Sequence, residues 1–94
     1  IKSFLAGLYI KDKDYVSAFN LLKKSLEIYP DDAFLNLSIS EVYLEYYNNC
    51  KFALYHHNLY IKNLDKTFLP EKILEKQKKQ AQERLKELNE KCGY

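Results

Sequence analysis

Residues 15–32 read YVSAFNLLKKSLEIYPDD, and this stretch decides the fold class. Ala18, Leu22, Ser25 and Leu26 follow one another at spacings of four, three and one, which sets them on one face of an α-helix. A strand would need alternation at every second residue, and no such alternation is sustained here or elsewhere in the chain. Asp14 stands just before the run, where its carboxylate can accept from the free N–H groups of a first turn. Pro30 ends the run, having no N–H to donate and a ring that clashes with the preceding turn. Asp31 and Asp32 follow, and either suits the cap of the next helix.

Working outward, period and punctuation predict five helical segments. The first covers about residues 2–10, with Leu5, Leu8 and Tyr9 on one side, and the polar KDKD at 11–14 breaks it. The second is the stretch above. A third covers about 32–46 and carries Leu35, Leu37, Ile39, Val42 and Tyr43. YNN at 47–49 interrupts the pattern, and a fourth segment follows from Cys50 to Asn63 with Ala53, Leu54, Leu59, Tyr60 and Ile61. Pro70 suits the first turn of a fifth, running to Lys91. The expectation is an all-α single domain over residues 1–94.

Two parts of the chain resemble each other. LAGLYIKDKDYVSAFNLLKKSLEIYP (5–30) lies over ISEVYLEYYNNCKFALYHHNLYIKNLD (39–65). Leu5 meets Ile39, Ala6 meets Ser40, Tyr9 meets Tyr43, Ala18 meets Ala53 and Leu26 meets Ile61. The small residues of each set let paired helices approach closely, and the Tyr and Leu residues fill the space beside the crossing. A helix–turn–helix unit recurring every 34 or 35 residues resembles the tetratricopeptide repeat (TPR). The first unit keeps Leu5, Tyr9, Tyr15, Ala18, Leu26 and Pro30 of that pattern, with Ala6 where Gly is common. The second departs further: Cys50 replaces an aromatic, His57 an apolar residue and Asp65 the proline.

The resemblance implies helical hairpins stacked as an α-α superhelix. Residues 1–32 and 33–66 would form two repeats, and residues 67–94 a capping helix and tail. It also implies a concave groove lined by the first helix of each repeat. Carried over position by position, that groove takes Ser3, Gly7, Ile10 and Lys11 from the first unit. Phe34, Leu37, Glu41, Leu44 and Glu45 come from the second, and Leu69, Lys72, Lys76 and Lys79 from the capping helix. Phe34, Leu37 and Leu44 would make an apolar strip flanked by acids and facing lysines, suited to an amphipathic helix or an extended peptide. Lys72 and Lys76 have the spacing of a pair with which some members clamp a C-terminal carboxylate. Ser3, Gly7 and Ser38 stand where the other clamp residues belong, and Glu41 and Glu45 would repel a carboxylate, so a clamp is not expected.

The last helix is long. From Pro70 to Lys91 it would reach about 33 Å, against about 21 Å for a 14-residue repeat helix. Its apolar seam of Leu74, Gln77, Ala81, Leu85, Leu88 and Cys92 is then expected to lie partly beyond the repeats. Ala81, Leu85 and Leu88 become candidates for docking a second copy. The alternative is a solvated helix laced by Glu75–Lys79 and Glu87–Lys91 pairs.

Composition narrows the function. A 94-residue chain with 47% hydrophobic and 30% charged residues reads as an ordinary globular domain rather than a disordered one. No apolar run reaches the roughly 18 residues of a membrane span. The net charge is +2, and all the excess lies in residues 71–94, interleaved with Glu. Nucleic-acid binders concentrate one sign of charge, so this pattern argues against such a partner. Cys50 and Cys92 are too few and too distant for a disulfide framework or a zinc knuckle; Cys50 reads as a small core residue and Cys92 as part of a frayed tail.

Catalytic constellations find no support. Cys50 and His57 lie about 10.5 Å apart along one helix axis, too far for a thiol–imidazole contact. Adjacent His56 and His57 diverge around the helix and would not share a metal. The acids of the loops are explained by caps and turns, and no glycine-rich phosphate loop is present. No cofactor or metal is expected. The aromatic residues read mainly as packing, with Tyr46 or Tyr47 exposed at the turn.

The sequence thus points to a non-catalytic module or scaffold binding another protein through its groove. The alternative is a structural or oligomerising fragment of a larger repeat protein. LEIYPDD and LYIKNLDKT faintly resemble TPR-type lipoproteins that assist outer-membrane assembly, which would put the chain in a bacterial envelope rather than the cytoplasm. The first residues carry no signal pattern, and the start at Ile1 reads as a trimmed chain.

Overall fold

Among the described residues, three successive helices each begin on a side-chain cap. In the computed structural model, which describes residues 11, 12 and 14–93, α1 spans Tyr15–Ile28 and Asp14 accepts from the Ser17 N–H at 3.2 Å. Helix α2 spans Ala33–Glu45, with Asp32 accepting from the Leu35 N–H at 3.0 Å. Helix α3 spans Cys50–Asn63, with Asn49 accepting from the Phe52 N–H at 3.1 Å. Each such cap satisfies a backbone donor that would otherwise be orphaned, worth about 1 kcal/mol. The YNN break becomes a tight turn in which Asn48 has φ 51°. Asn tolerates that left-handed conformation better than other residues that carry a side chain. Leu64–Lys66 form one 3-10 turn, and α4 runs over Glu71–Lys91 with Pro70 at its N-cap position rather than in its first turn. The fold is all-α. The segment predicted over residues 2–10 lies outside the described residues, as do Ser3, Gly7 and Ile10 of the predicted groove.

Consecutive helices pack in three apolar clusters. Ala18 and Leu22 of α1 meet Leu35, Ile39 and Val42 of α2. Ala33, Tyr60, Leu64 and Ala81 join α2, α3, the 3-10 turn and α4. Leu44, Ala53 and Leu88 join α2, α3 and α4 at the other end. Small residues control the α2–α3 approach as the sequence overlay predicts. Ser40 and Ala53 are fully buried, and the Ser40 hydroxyl donates to the Ala53 carbonyl at 2.8 Å. Asn36 is a buried hub: its amide N–H groups donate to the Pro30 and Asp32 carbonyls, and its oxygen accepts from His56 Nδ1–H at 2.8 Å.

Helix α4 corrects two expectations. It does not overhang, because the 3-10 turn prolongs α3 and α4 lies antiparallel along both. Tyr60 meets Gln77, His57 meets Ala81, and Ala53 meets Leu88. The proposed oligomer seam is therefore the packing face of α4 within the chain. Ala81 and Leu88 are buried, and Leu85 is half-buried. The second correction concerns the cysteines. Cys50 at the start of α3 and Cys92 just past α4 form a disulfide, their Cα atoms 5.8 Å apart. Cys92 is a tether, not part of a frayed tail. Neither Glu75–Lys79 nor Glu87–Lys91 is among the ion pairs of the described residues; Lys78 pairs with Asp65, and Arg84 with Glu41 and Glu87.

Candidate functional site

An open cleft lies among α2, α3 and α4. The cleft measures about 160 Å³ and is lined by Leu37, His57, Tyr60, Gln77, Gln80, Ala81 and Arg84. Leu37 and Ala81 supply its apolar floor. His57 is fully buried and its Nε2 lies 2.9 Å from the Ala81 carbonyl. A carbonyl can only accept, so Nε2 carries a proton, and Nδ1 is buried without a partner. The Tyr60 hydroxyl donates to Gln77 Oε1 at 3.2 Å, and burial raises that phenol above its ordinary 10.0, keeping it a neutral donor. At the rim, Arg84 donates to Glu41 at 3.1 Å and to Glu87 at 3.2 Å. Partial burial works against the guanidinium charge, the two carboxylates outweigh it, and its pKa stands above the usual value.

The predicted groove residues disperse. Leu37 alone of the apolar strip lines this cleft. Leu44 is 5% exposed beneath Leu88, because α4 covers the face on which the strip would have continued. Phe34 packs near Tyr60 with ring centroids 6.1 Å apart and lines a different pocket. Glu41 is engaged by Arg84, while Lys11, Glu45, Lys72 and Lys76 are exposed and line neither pocket. The sequence reading missed His57, Tyr60, Gln77, Gln80 and Arg84 as one constellation. Their i, i+3 and i, i+4 spacings within α3 and α4 were legible, but the pairing of those two helices was not.

A second pocket, of about 280 Å³, opens where the α1–α2 turn and the start of α2 meet the 3-10 turn and the loop that follows it. Asp31, Asp32, Phe34, Asn63, Lys66, Thr67 and Phe68 contribute to its walls. Asn63 is 2% exposed and its Nδ2–H donates to the Leu59 carbonyl at 2.9 Å. That bond fixes the amide orientation, since the flipped form would set oxygen against oxygen. Asn63 Oδ1 is left buried and unpartnered. Such an acceptor costs about 1–3 kcal/mol when nothing donates to it.

Helices α1, α2 and α3 also share an aromatic belt. Tyr15 stacks on Tyr46 at 5.5 Å, Phe19 meets Tyr43 edge-on at 5.3 Å, and Tyr43 stacks on His56 at 5.6 Å. Tyr46 and Tyr47 remain 47% and 42% exposed at the turn, as the sequence suggests.

Scans against protein-family models and searches of curated proteins and solved structures found no match. The chemistry available must follow from these residues. A mostly apolar cleft with amide and guanidinium groups in its lining can seat a side chain and hydrogen-bond the backbone that carries it. Among the described residues, no three metal-binding side chains cluster, and no helix is long and apolar enough to cross a membrane.

Proposed function

We propose that this chain is a non-catalytic protein–protein interaction module of the tetratricopeptide type, seating one side chain of a partner peptide or amphipathic helix in the α2–α4 cleft. The observation that carries this reading is the cleft itself, in which Leu37 and Ala81 share the lining with Gln77, Gln80 and Arg84. A volume near 160 Å³ falls below the roughly 300–1,000 Å³ of sites that enclose small-molecule ligands. It suits an anchor residue, and the apolar centre within a polar rim is the usual anatomy of a protein interface. Structural contacts hold both histidines: His57 Nε2 on Ala81, and His56 on Asn36 and Tyr43.

The Cys50–Cys92 disulfide favours an oxidising compartment, where such bonds persist. Of the settings weighed from the sequence, this supports the bacterial envelope over the cytoplasm. A photo-crosslinking residue at Gln80, at the cleft, compared with one at Lys24, on exposed α1, tests the cleft. Adducts confined to position 80 and abolished by Leu37→Glu are expected. Adducts at position 24 alone, or unaffected by Leu37→Glu, would overturn it.

A further inference from the structure

We propose that the second pocket, between the α1–α2 turn and the loop that follows the 3-10 turn, is a binding site for an alkylguanidinium group. It is separate from the cleft and does not depend on that reading. Four features of the pocket converge on this chemistry. Asn63 Oδ1 is buried, fixed as an acceptor and without a donor. The Asp31 and Asp32 carboxylates stand at the same opening, and Asp32 uses only Oδ1 in capping α2. Phe34 lines one wall, and Phe68 is fully exposed beside it. A cation with a flat face can stack on such rings and cover part of their apolar surface.

The ligand must therefore donate several hydrogen bonds, carry positive charge and present a flat face. A guanidinium does all three, offering five N–H donors in one plane that stacks on aromatic rings. An ammonium offers a point charge without the flat face, and an anion would meet two carboxylates. Lys66 is the one cation lining the pocket, and it forms no ion pair among the described residues. It opposes the ligand charge and sets a ceiling on affinity. A volume of about 280 Å³ falls just short of the roughly 300–1,000 Å³ of sites for drug-sized ligands, and a guanidinium with its alkyl stem is smaller than those.

The test is an NMR titration of the whole chain with N-acetylarginine amide, following the Asn63 side-chain amide and the Thr67 backbone amide. N-acetylcitrulline amide serves as the neutral isostere. Saturable shifts with the arginine compound are expected, with at least tenfold weaker binding of the citrulline compound. Asp31→Asn with Asp32→Asn keeps a capping side chain on α2 and should also weaken binding at least tenfold, whereas Lys66→Gln should strengthen it. Propylguanidinium distinguishes the source: equal affinity points to a free guanidine compound, and weaker affinity to an arginine side chain of a peptide. Shifts that do not saturate, or equal responses to arginine and citrulline compounds, would overturn the proposal.

Discussion

Ser40 and His56 show how single side chains set the spacing of this molecule. Ser40 is 1% exposed and hydrogen-bonded to the Ala53 carbonyl, so no volume is free at the α2–α3 crossing. Ser40→Leu should overpack that contact and cost about 1–3 kcal/mol, whereas Ser40→Ala should lose only about 0.5–1.5 kcal/mol, both read from urea midpoints. His56 carries a pH dependence. Burial chiefly, and the Lys23 charge in addition, lower its pKa below the ordinary 6.5. Around it stand Asn36, Tyr43 and Tyr55, none of them charged at neutral pH. The folded state thus binds this proton less readily than the unfolded chain. The stabilising contribution is complete above about pH 6.5 and is lost as pH falls through the folded-state value. Denaturation between pH 7.5 and 5 should show a shallower decline for His56→Gln than for the wild type; parallel curves would remove His56 as the cause.

Helices α1 to α3 were legible because each carries its own punctuation: Asp14, Pro30, Asp32 and Asn49 mark ends by local hydrogen bonding, whatever the tertiary fold. The role of α4 was not. Its seam of Leu74, Ala81, Leu85 and Leu88 has the same pattern whether it faces another copy or its own α3. Only the 3-10 turn at Leu64–Lys66, which lengthens the platform, decides between them. The groove suffered from the same blind spot, since Leu44 looks exposed until α4 is laid over it. Leu88 is 1% exposed between Leu44 and Ala53, and Leu88→Ala should destabilise the chain by about 2–5 kcal/mol. Half-buried Leu85→Ala should cost less than half as much. Thermal unfolding of the pair checks this assignment, and equal losses would mean that α4 is seated in another register.

For the molecule as a whole, the disulfide turns the α3–α4 hairpin into a closed ring. One end is closed by the chain through Leu64–Pro70, the other by Cys50 and Cys92. Two cysteines separated by 42 positions reveal nothing of this by themselves, because pairing depends on the antiparallel register. Once Tyr60 is set against Gln77 and Ala53 against Leu88, the same register brings Cys50 to Cys92. Closing a 42-residue loop removes unfolded-state freedom worth about 4 kcal/mol in the chain-entropy picture. That is a large share of the roughly 5–15 kcal/mol that holds a domain together. The Cys50→Ser/Cys92→Ser variant should therefore melt more than about 15 °C below the oxidised wild type. Its losses should also be uneven. Amide exchange should quicken first over Leu85–Lys91, which loses its tether, while α1 and the α2 residues facing it keep Ala18, Leu22 and Ile39 packed. Uniform acceleration would show instead that the four described helices open as one cooperative unit, and that the disulfide stabilises the whole stack rather than its last helix.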